Sequence, residues 1–137
     1  MNYTVDFTLN SGGSSANPQV KYVKVTDGVI HKIQIVFPAG CSGLVHVAIY
    51  DGGHPIAPST AGQYYRGDDE VVDFPEFYEI KGGTRYLQII GWNEDDTYDH
   101  TIMVRIFILP RWAIMPAGAA EGLIHALRSL FKAKEED

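Results

Sequence analysis

The stretch HTIMVRIFILP, residues 100–110, decides the fold class of this chain, because it alternates with a period of two and that alternation stops at Pro110. Side chains two apart share one face of a β-strand. The apolar positions on that face are Ile102, Val104, Ile106 and Ile108. Beyond Pro110 the large apolar residues recur at helical spacing instead. We therefore predict a β domain followed by one C-terminal helix.

Strand-like alternation of the same kind starts near the N-terminus. The apolar positions of that first strand are Tyr3, Val5, Phe7 and Leu9. Further strands are predicted at residues 20–25, 29–37, 44–50 and 84–91. Between 54 and 78 the pattern weakens, and only short strands at 63–66 and 71–74 are predicted. A chain of roughly seven to nine short strands without helices between them is typical of an antiparallel β-sandwich, and we expect jelly-roll topology.

The third strand carries two specific expectations. Asp27-Gly28 precedes it and is a common sequence for a two-residue hairpin, so the second and third strands are predicted to pair directly. Strict alternation within the strand places one set of residues on a common face. That set is Val29, His31, Ile33, Ile35 and Phe37.

The C-terminal part divides into two predicted segments. Residues 110–116 are bounded by prolines and are expected to form an extended strap that includes Trp112. Residues 117–134 are expected to form an amphipathic helix whose apolar stripe seeks a partner surface. The predicted interface residues are Trp112, Leu123, Ile124, Leu127, Leu130 and Phe131. We thus divide the chain into a sandwich at 1–110 and a strap plus helix at 111–137, which either packs on the same domain or serves as an oligomerisation appendage.

Composition narrows the class of partner and the compartment. The 137 residues carry a formal net charge of −6, which argues against nucleic acid as a direct partner. Cys41 is the single cysteine, so an intrachain disulfide is impossible and a reducing compartment is expected. No signal peptide or membrane span is predicted. We expect synthesis in the cytoplasm, where a virion component would also be made.

The densest polar cluster is the loop WNEDDTYDH, residues 92–100. Its oxygen-bearing side chains are candidate ligands for calcium, since calcium takes six to eight oxygen ligands. These candidates are Asn93, Glu94, Asp95, Asp96 and Asp99. Their spacing does not match an EF-hand, and an acidic hairpin tip that keeps a sheet edge soluble explains them better. We therefore assign no metal and no cofactor.

Catalytic signatures are also missing from the sequence. The five histidines are spread singly, and the GCSG stretch at 40–43 is neither a nucleophile elbow nor paired with a recognisable base. We expect a protein that is not an enzyme. The aromatic residues beside the polar loops leave a second possibility open, because such rings stack on sugars when they do not simply cap the core. These residues are Trp92, Tyr98, Tyr64, Tyr65, Phe77 and Tyr78.

Three stretches together carry a resemblance to a known class of proteins. These are FPAGCSGLVHVAIYDGGHPIAPS, RGDDEVVDF and GWNEDDTYDHTIMVRIFILP. In the spacing of their strand-like segments and turns, they resemble small β-sandwich structural proteins of tailed phages, of the capsid-decoration or head-associated kind. The resemblance implies a non-enzymatic role on a virion lattice, with no functional residues to carry across. The leading hypothesis is thus an assembly protein that binds itself or a capsid-like lattice; the alternative is a carbohydrate-binding or lectin-like module, with or without calcium.

Overall fold

The computed structural model describes residues 1–114, which form two four-stranded β-sheets. The strands are β1 (Asn2–Leu9), β2 (Gln19–Val25), β3 (Gly28–Phe37), β4 (Val45–Asp51), β5 (His54–Ala57), β6 (Glu70–Ile80), β7 (Arg85–Asn93) and β8 (His100–Leu109). The first sheet has the order β1-β8-β3-β6 and the second has β2-β7-β4-β5. All strand pairs are antiparallel. The predicted all-β class with antiparallel pairing is confirmed.

One core lies between the two sheets. The predicted inner face of β8 is confirmed, because its four alternating apolar residues are completely buried. In β1 burial deepens along the strand, from half-buried Tyr3 to fully buried Leu9. The second sheet contributes Val45, Val47, Ile49, Leu87 and Ile89 to the same cluster. Apolar burial of this kind is the main favourable term that holds the two layers together.

The predicted hairpin at Asp27-Gly28 is wrong. β2 pairs with β7 in the second sheet, whereas β3 pairs with β6 and β8 in the first, so the dipeptide connects two layers. Gly28 is needed for a different reason. It has φ +150°, and a Cβ atom there would lie 2.7 Å from the carbonyl oxygen of Leu109. Close approach to the β8 backbone therefore selects glycine at this position.

The predicted face of β3 needs a correction at His31. The pairing register of β3 shifts between Ile30 and Lys32 against both neighbouring strands, which marks a β-bulge. The extra residue turns Ile30 into the core and removes His31 from it. His31 instead makes an edge contact with the ring of Phe107 at a centroid distance of 6.1 Å. Periodicity alone missed the bulge because strict alternation assumes an unbroken ladder.

The weakly patterned region differs most from expectation. The turn after Asp51 leads into the short strand β5, which had no clear alternation in the sequence. Where a strand was predicted at 63–66, there is one isolated bridge between Tyr65 and Val47. β6 is longer than predicted and runs through Pro75. Proline is tolerated there because β6 is an edge strand of the first sheet.

The open edge formed by β1 and β2 is closed by side chains from β2. Lys21 donates from Nζ to the backbone oxygen of Asp6 at 2.6 Å, and Gln19 donates from Nε2 to that of Thr8 at 3.2 Å. These bonds occupy carbonyl groups of β1, which is itself an edge strand. Covered edges resist unwanted strand addition.

After β8 the chain makes one helical turn, α1 (Arg111–Ile114), where an extended strap was predicted. The amide of Ala113 donates to the oxygen of Pro110 at 2.9 Å. Proline favours the start of a helix because its φ angle is preset and the lost N–H would be unpaired there. The predicted helix at 117–134 and its stripe, Leu123, Ile124, Leu127, Leu130 and Phe131, lie outside the described residues. Within residues 1–114 we find no helix long and apolar enough to cross a bilayer.

Candidate functional site

Asn93 organises the acidic turn between β7 and β8. Its side chain is fully buried, and its Nδ2 donates to the backbone oxygens of Leu9 (3.1 Å) and Tyr98 (2.8 Å). Its Oδ1 accepts a hydrogen bond from the amide of Asp95 at 2.9 Å. Every polar atom of this side chain thus has a protein partner, so Asn93 works as a structural clamp on the turn.

Asp95 and His100 form a pair at the base of the same turn. Their Oδ2 and Nε2 atoms are 2.9 Å apart, and both side chains are largely buried. The Oδ1 atom of Asp95 accepts from the amides of Thr97 and Tyr98. The amide of Thr97 and the ring of His100 together lower the pKa of Asp95 below its usual value.

The remaining acidic residues of the turn also face protein donors. Asp99 accepts from the amide of Ser11 at 2.8 Å, and Asp96 accepts from the hydroxyl of Thr97. Glu94 accepts from the indole nitrogen of Trp92 at 3.1 Å. Across residues 1–114 we find no group of three or more histidine, cysteine or acidic side chains placed to hold a metal ion. The acidic side chains act here as caps of a tight turn.

Cys41 lies at the same end of the sandwich as this turn. Its thiol is fully buried and unpaired, and burial raises its pKa, with Asp68 and Asp95 adding to the effect. A nucleophilic cysteine needs the opposite shift. Asp68 is engaged in structure as well, because it accepts from the amide of Gly40 at 2.9 Å.

The two sheets present chemically different outer faces. On the first sheet, Lys32 and Asp73 are paired across β3 and β6 at 3.5 Å, and Arg105 donates to Gln34 at 3.2 Å. That face carries these polar contacts together with the exposed apolar residues Val71 and Phe77 of β6. The outer face of the second sheet is instead rich in aromatic rings from β2, β4 and β7. Its outward positions include Val20, Tyr22, Tyr50, Tyr86, Ile90 and Trp92.

Three of these residues form an exposed cluster, which we call the Tyr22 patch. Tyr22 is 60% exposed, Tyr86 is 58% exposed and Val20 is 44% exposed. Tyr22 pairs with Gln88 and Lys24 pairs with Tyr86, so the two tyrosines are diagonal neighbours across β2 and β7. Diagonal aromatic side chains are close enough to touch. The patch therefore places two tyrosines and a valine near one another at an edge of the second sheet, with Gln88 and Lys24 beside them.

The aromatic residues predicted to flank the loops divide into three groups. Trp92 and Tyr64 come together on the outer face of the second sheet, with ring centroids 4.5 Å apart and an interplanar angle of 72°. Tyr65 and Tyr78 pack against the core, as the capping interpretation expects. Tyr98 and Phe77 are exposed at separate places. Tyr64 and Tyr65 are neighbours in the sequence, yet one packs on Trp92 at the outer face and the other against the core, a difference that depends on where this loop meets the second sheet.

A cleft forms where the segment after β5 lies alongside β4, to which the bridge between Tyr65 and Val47 joins it. It has a volume of about 340 Å3 and is lined by Ser15, His46, Gly62, Gln63, Tyr64, Arg66 and Trp92; we call it the His46 cleft. The imidazole of His46 stacks on Trp92 with centroids 4.4 Å apart and an interplanar angle of 9°. Sequence reasoning had singled out Trp92 and Tyr64 but not His46, Gln63 or Arg66, which carry no motif.

A larger cleft of about 570 Å3 lies beside α1, at one end of the sandwich. Trp112 lines it and is 73% exposed. Arg111 pairs with Glu79 at 3.0 Å and connects the helical turn to β6. Of the predicted interface residues, Trp112 is the one within the described part of the chain, and it is open to solvent there.

Comparison with known proteins identifies no family. No protein-family model matches the chain, and no curated protein sequence matches significantly. Among solved structures, the crystal structure of PirA is similar over 77% of this chain and 94% of that one, with 13% identity and a TM-score of 0.36. The structure of infectious bursal disease virus Gx strain is similar over 78% of this chain and 30% of that one, with 10% identity and a TM-score of 0.33. Both similarities are too weak to bear on function.

Proposed function

We propose that this chain is a non-enzymatic structural protein that assembles through the outer face of its second sheet, with itself and with a larger lattice such as a capsid. The Tyr22 patch carries the proposal. Two exposed tyrosines and a valine on one face are costly to leave in water. Tyrosine is also enriched where proteins meet, since it buries large area at low entropic cost.

The strand order supports jelly-roll topology, which we propose for the sandwich. Successive strands change sheet at every connection except the one from β4 to β5. Two interlocked Greek keys produce such an arrangement of eight strands, and the arrangement occurs in viral capsid and lectin domains alike. The topology is therefore compatible with the phage-like resemblance of the sequence without selecting one function.

The surroundings of the patch favour contact between copies of this chain. Side chains of β2 that point toward β1 are already bonded to its carbonyl groups, through Gln19 and Lys21. Val20 lies between these two residues and Tyr22 follows them, and both side chains point outward and are exposed to solvent. A two-fold contact would place one Tyr22 patch against another, which is the usual form of a homodimer interface.

A non-enzymatic role is supported by what the polar side chains of residues 1–114 do. Asp95 accepts hydrogen bonds from the amides of Thr97 and Tyr98, Asp99 accepts one from the amide of Ser11, and the Cys41 thiol is buried. None of these groups is arranged as a nucleophile with its base. Synthesis in the cytoplasm and incorporation into a virion remain part of the proposal.

Sedimentation velocity tests the proposed self-association. The full chain is expected to form oligomers, and the double variant Tyr22→Ser/Tyr86→Ser is expected to sediment as a monomer with an unchanged circular dichroism spectrum. The matched control is Val71→Ser/Phe77→Ser, which removes two equally exposed apolar residues from β6 in the first sheet. A wild-type chain that is monomeric at all concentrations, or equal loss of assembly in both variants, would reject the proposal.

A further inference from the structure

We propose that the His46 cleft is a binding site for one neutral pyranose ring of a glycan. The juxtaposition that supports it is an aromatic wall facing a rim of unpaired polar side chains. The His46 cleft lies on the same sheet face as the Tyr22 patch but shares none of its three residues, so a structural protein of the proposed kind would carry a second means of attachment, to sugar-coated surfaces.

The aromatic wall is held rigidly before any ligand arrives. Trp92 is only 5% exposed, because His46 stacks on it and Tyr64 packs at a steep angle to it. Glu94 accepts from the Trp92 indole nitrogen at 3.1 Å and lies 3.5 Å from Nε2 of His46. Since Trp92 is covered, the ring left at the cleft surface is the half-buried Tyr64. A rigid aromatic face of this kind suits the C–H side of a sugar ring.

The rim supplies hydrogen-bonding groups without partners. Ser15, Gln63 and Arg66 are exposed side chains on the cleft, and within residues 1–114 their hydroxyl, amide and guanidinium groups make no side-chain hydrogen bond or ion pair. The hydroxyl of Tyr64 is likewise unbonded there. Together these groups offer both donors and acceptors, which a polyhydroxylated ligand requires.

Charge selects an uncharged ligand. Burial lowers the pKa of His46 below its usual value, although Glu94 acts in the opposite direction, so the imidazole is neutral at neutral pH. Arg66 and Glu94 act on His46 with opposite sign, so one positive and one negative side chain influence the imidazole. A volume of about 340 Å3 lies at the small end of the roughly 300–1,000 Å3 common for ligand sites, and suits one ring rather than a long oligosaccharide.

Tryptophan fluorescence tests the site directly. The chain has two tryptophans, so a Trp112→Phe background leaves Trp92, at the cleft wall, as the sole reporter. The protein is titrated with a panel of methyl pyranosides that includes neutral hexosides, N-acetylhexosaminides and one uronide. At least one neutral pyranoside is expected to shift the Trp92 emission in a saturable way.

Substitutions at the rim locate the ligand. Gln63→Ala and Arg66→Ala, each in the Trp112→Phe background, are expected to weaken binding about tenfold, because each removes a hydrogen-bonding group and neither residue is buried. The matched control is Lys24→Ala, an exposed residue of the same face in the β-sheet row farthest from Trp92. No response to any neutral pyranoside, preference for the uronide, or unchanged affinity in both rim variants would overturn the proposal.

Discussion

The carboxylate of Asp51 and the hydroxyl of Tyr78 join the two sheets, with 2.6 Å between Oδ2 and the phenolic oxygen. Asp51 ends β4 in the second sheet, and Tyr78 lies on β6 in the first. The same carboxylate oxygen accepts from Nη1 of Arg85 at 2.7 Å. His54 stacks on the Tyr78 ring with centroids 5.7 Å apart. This polar clasp fastens the end of the sandwich opposite to the acidic turn.

Removing the Tyr78 hydroxyl should weaken that clasp. Tyr78→Phe is expected to lower the free energy of unfolding by about 1–2 kcal/mol, because a hydrogen bond to a charged acceptor is lost. Urea denaturation measures the change. Tyr86→Phe is the matched control, since its ring is exposed and its hydroxyl has no partner among residues 1–114. Equal effects of the two substitutions would contradict the assignment.

The contacts of Tyr78 with Asp51 should also make the stability of the fold depend on pH in alkaline solution. Burial, followed by the hydrogen bond and charge of Asp51, raises the pKa of Tyr78 from 10.0 to about 12. The unfolded chain then releases its proton first, so this contribution to stability is complete below pH 10 and is lost as the pH rises to about 12. Urea denaturation at a series of alkaline pH values should show a decline that Tyr78→Phe makes shallower. If the unfolding free energies of wild type and Tyr78→Phe declined equally with pH, Tyr78 would not be the source of the pH dependence.

Protonation of Asp95 at low pH should destabilise the folded chain. Because its pKa is lowered in the folded chain, its contribution is present above the usual value of 3.8 and is lost as the pH falls through the folded value. Asp95→Asn is expected to be less stable at neutral pH, with a difference from wild type that shrinks below pH 3.8. Thermal unfolding at several pH values measures this. Asp96→Asn, at the exposed neighbouring position, should leave the profile nearly unchanged.

Asn93 should be among the most sensitive polar residues of the fold. Asn93→Ala leaves the carbonyl groups of Leu9 and Tyr98 and the amide of Asp95 without their partner. A loss of about 3 kcal/mol in unfolding free energy is expected. Chemical denaturation checks the value, with exposed Asn17→Ala as control. A change below that of the control would show that water replaces the clamp.

Gly28 should tolerate no side chain. A Cβ atom would lie 2.7 Å from the backbone oxygen of Leu109 and 2.8 Å from a methyl group of Ile108. Gly28→Ala is therefore expected to cost about 2–3 kcal/mol through strain and displaced packing. Gly53→Ala is the control, because that site has open space and no left-handed backbone. Comparable melting temperatures for the two variants would refute the close approach.

Truncation after Pro116 tests the predicted role of the C-terminal stripe. If residues 117–134 contribute to assembly, as their sequence pattern predicts, the truncated chain should sediment as a smaller species. The comparison with Tyr22→Ser/Tyr86→Ser then tells whether one or both surfaces are needed. A truncated chain of lower melting temperature but unchanged oligomeric mass would indicate instead that the segment stabilises the β domain of the same chain.

The residues of the His46 cleft were only partly predictable from the sequence, and the reason is physical. Trp92 and Tyr64 were named as members of a larger aromatic group that either caps the core or binds a sugar, and these two rings are in contact. His46 stacks on Trp92 because β4 and β7 are neighbours with those two residues in register. Register between strands far apart in the chain depends on global packing, which a single-strand pattern does not contain.

Local alternation in the amino-acid sequence by itself determined the all-β class, the inner faces of β1 and β8 and the end of the last strand at Pro110. A period of two needs only the near neighbours of each residue, so it can be read directly. Tertiary structure alone decided that β2 and β3 lie in different sheets, that a bulge removes His31 from the core, and that Asn93 is a buried clamp. Each of these depends on which distant strand lies alongside, and the burial and hydrogen bonding of the whole domain select that partner.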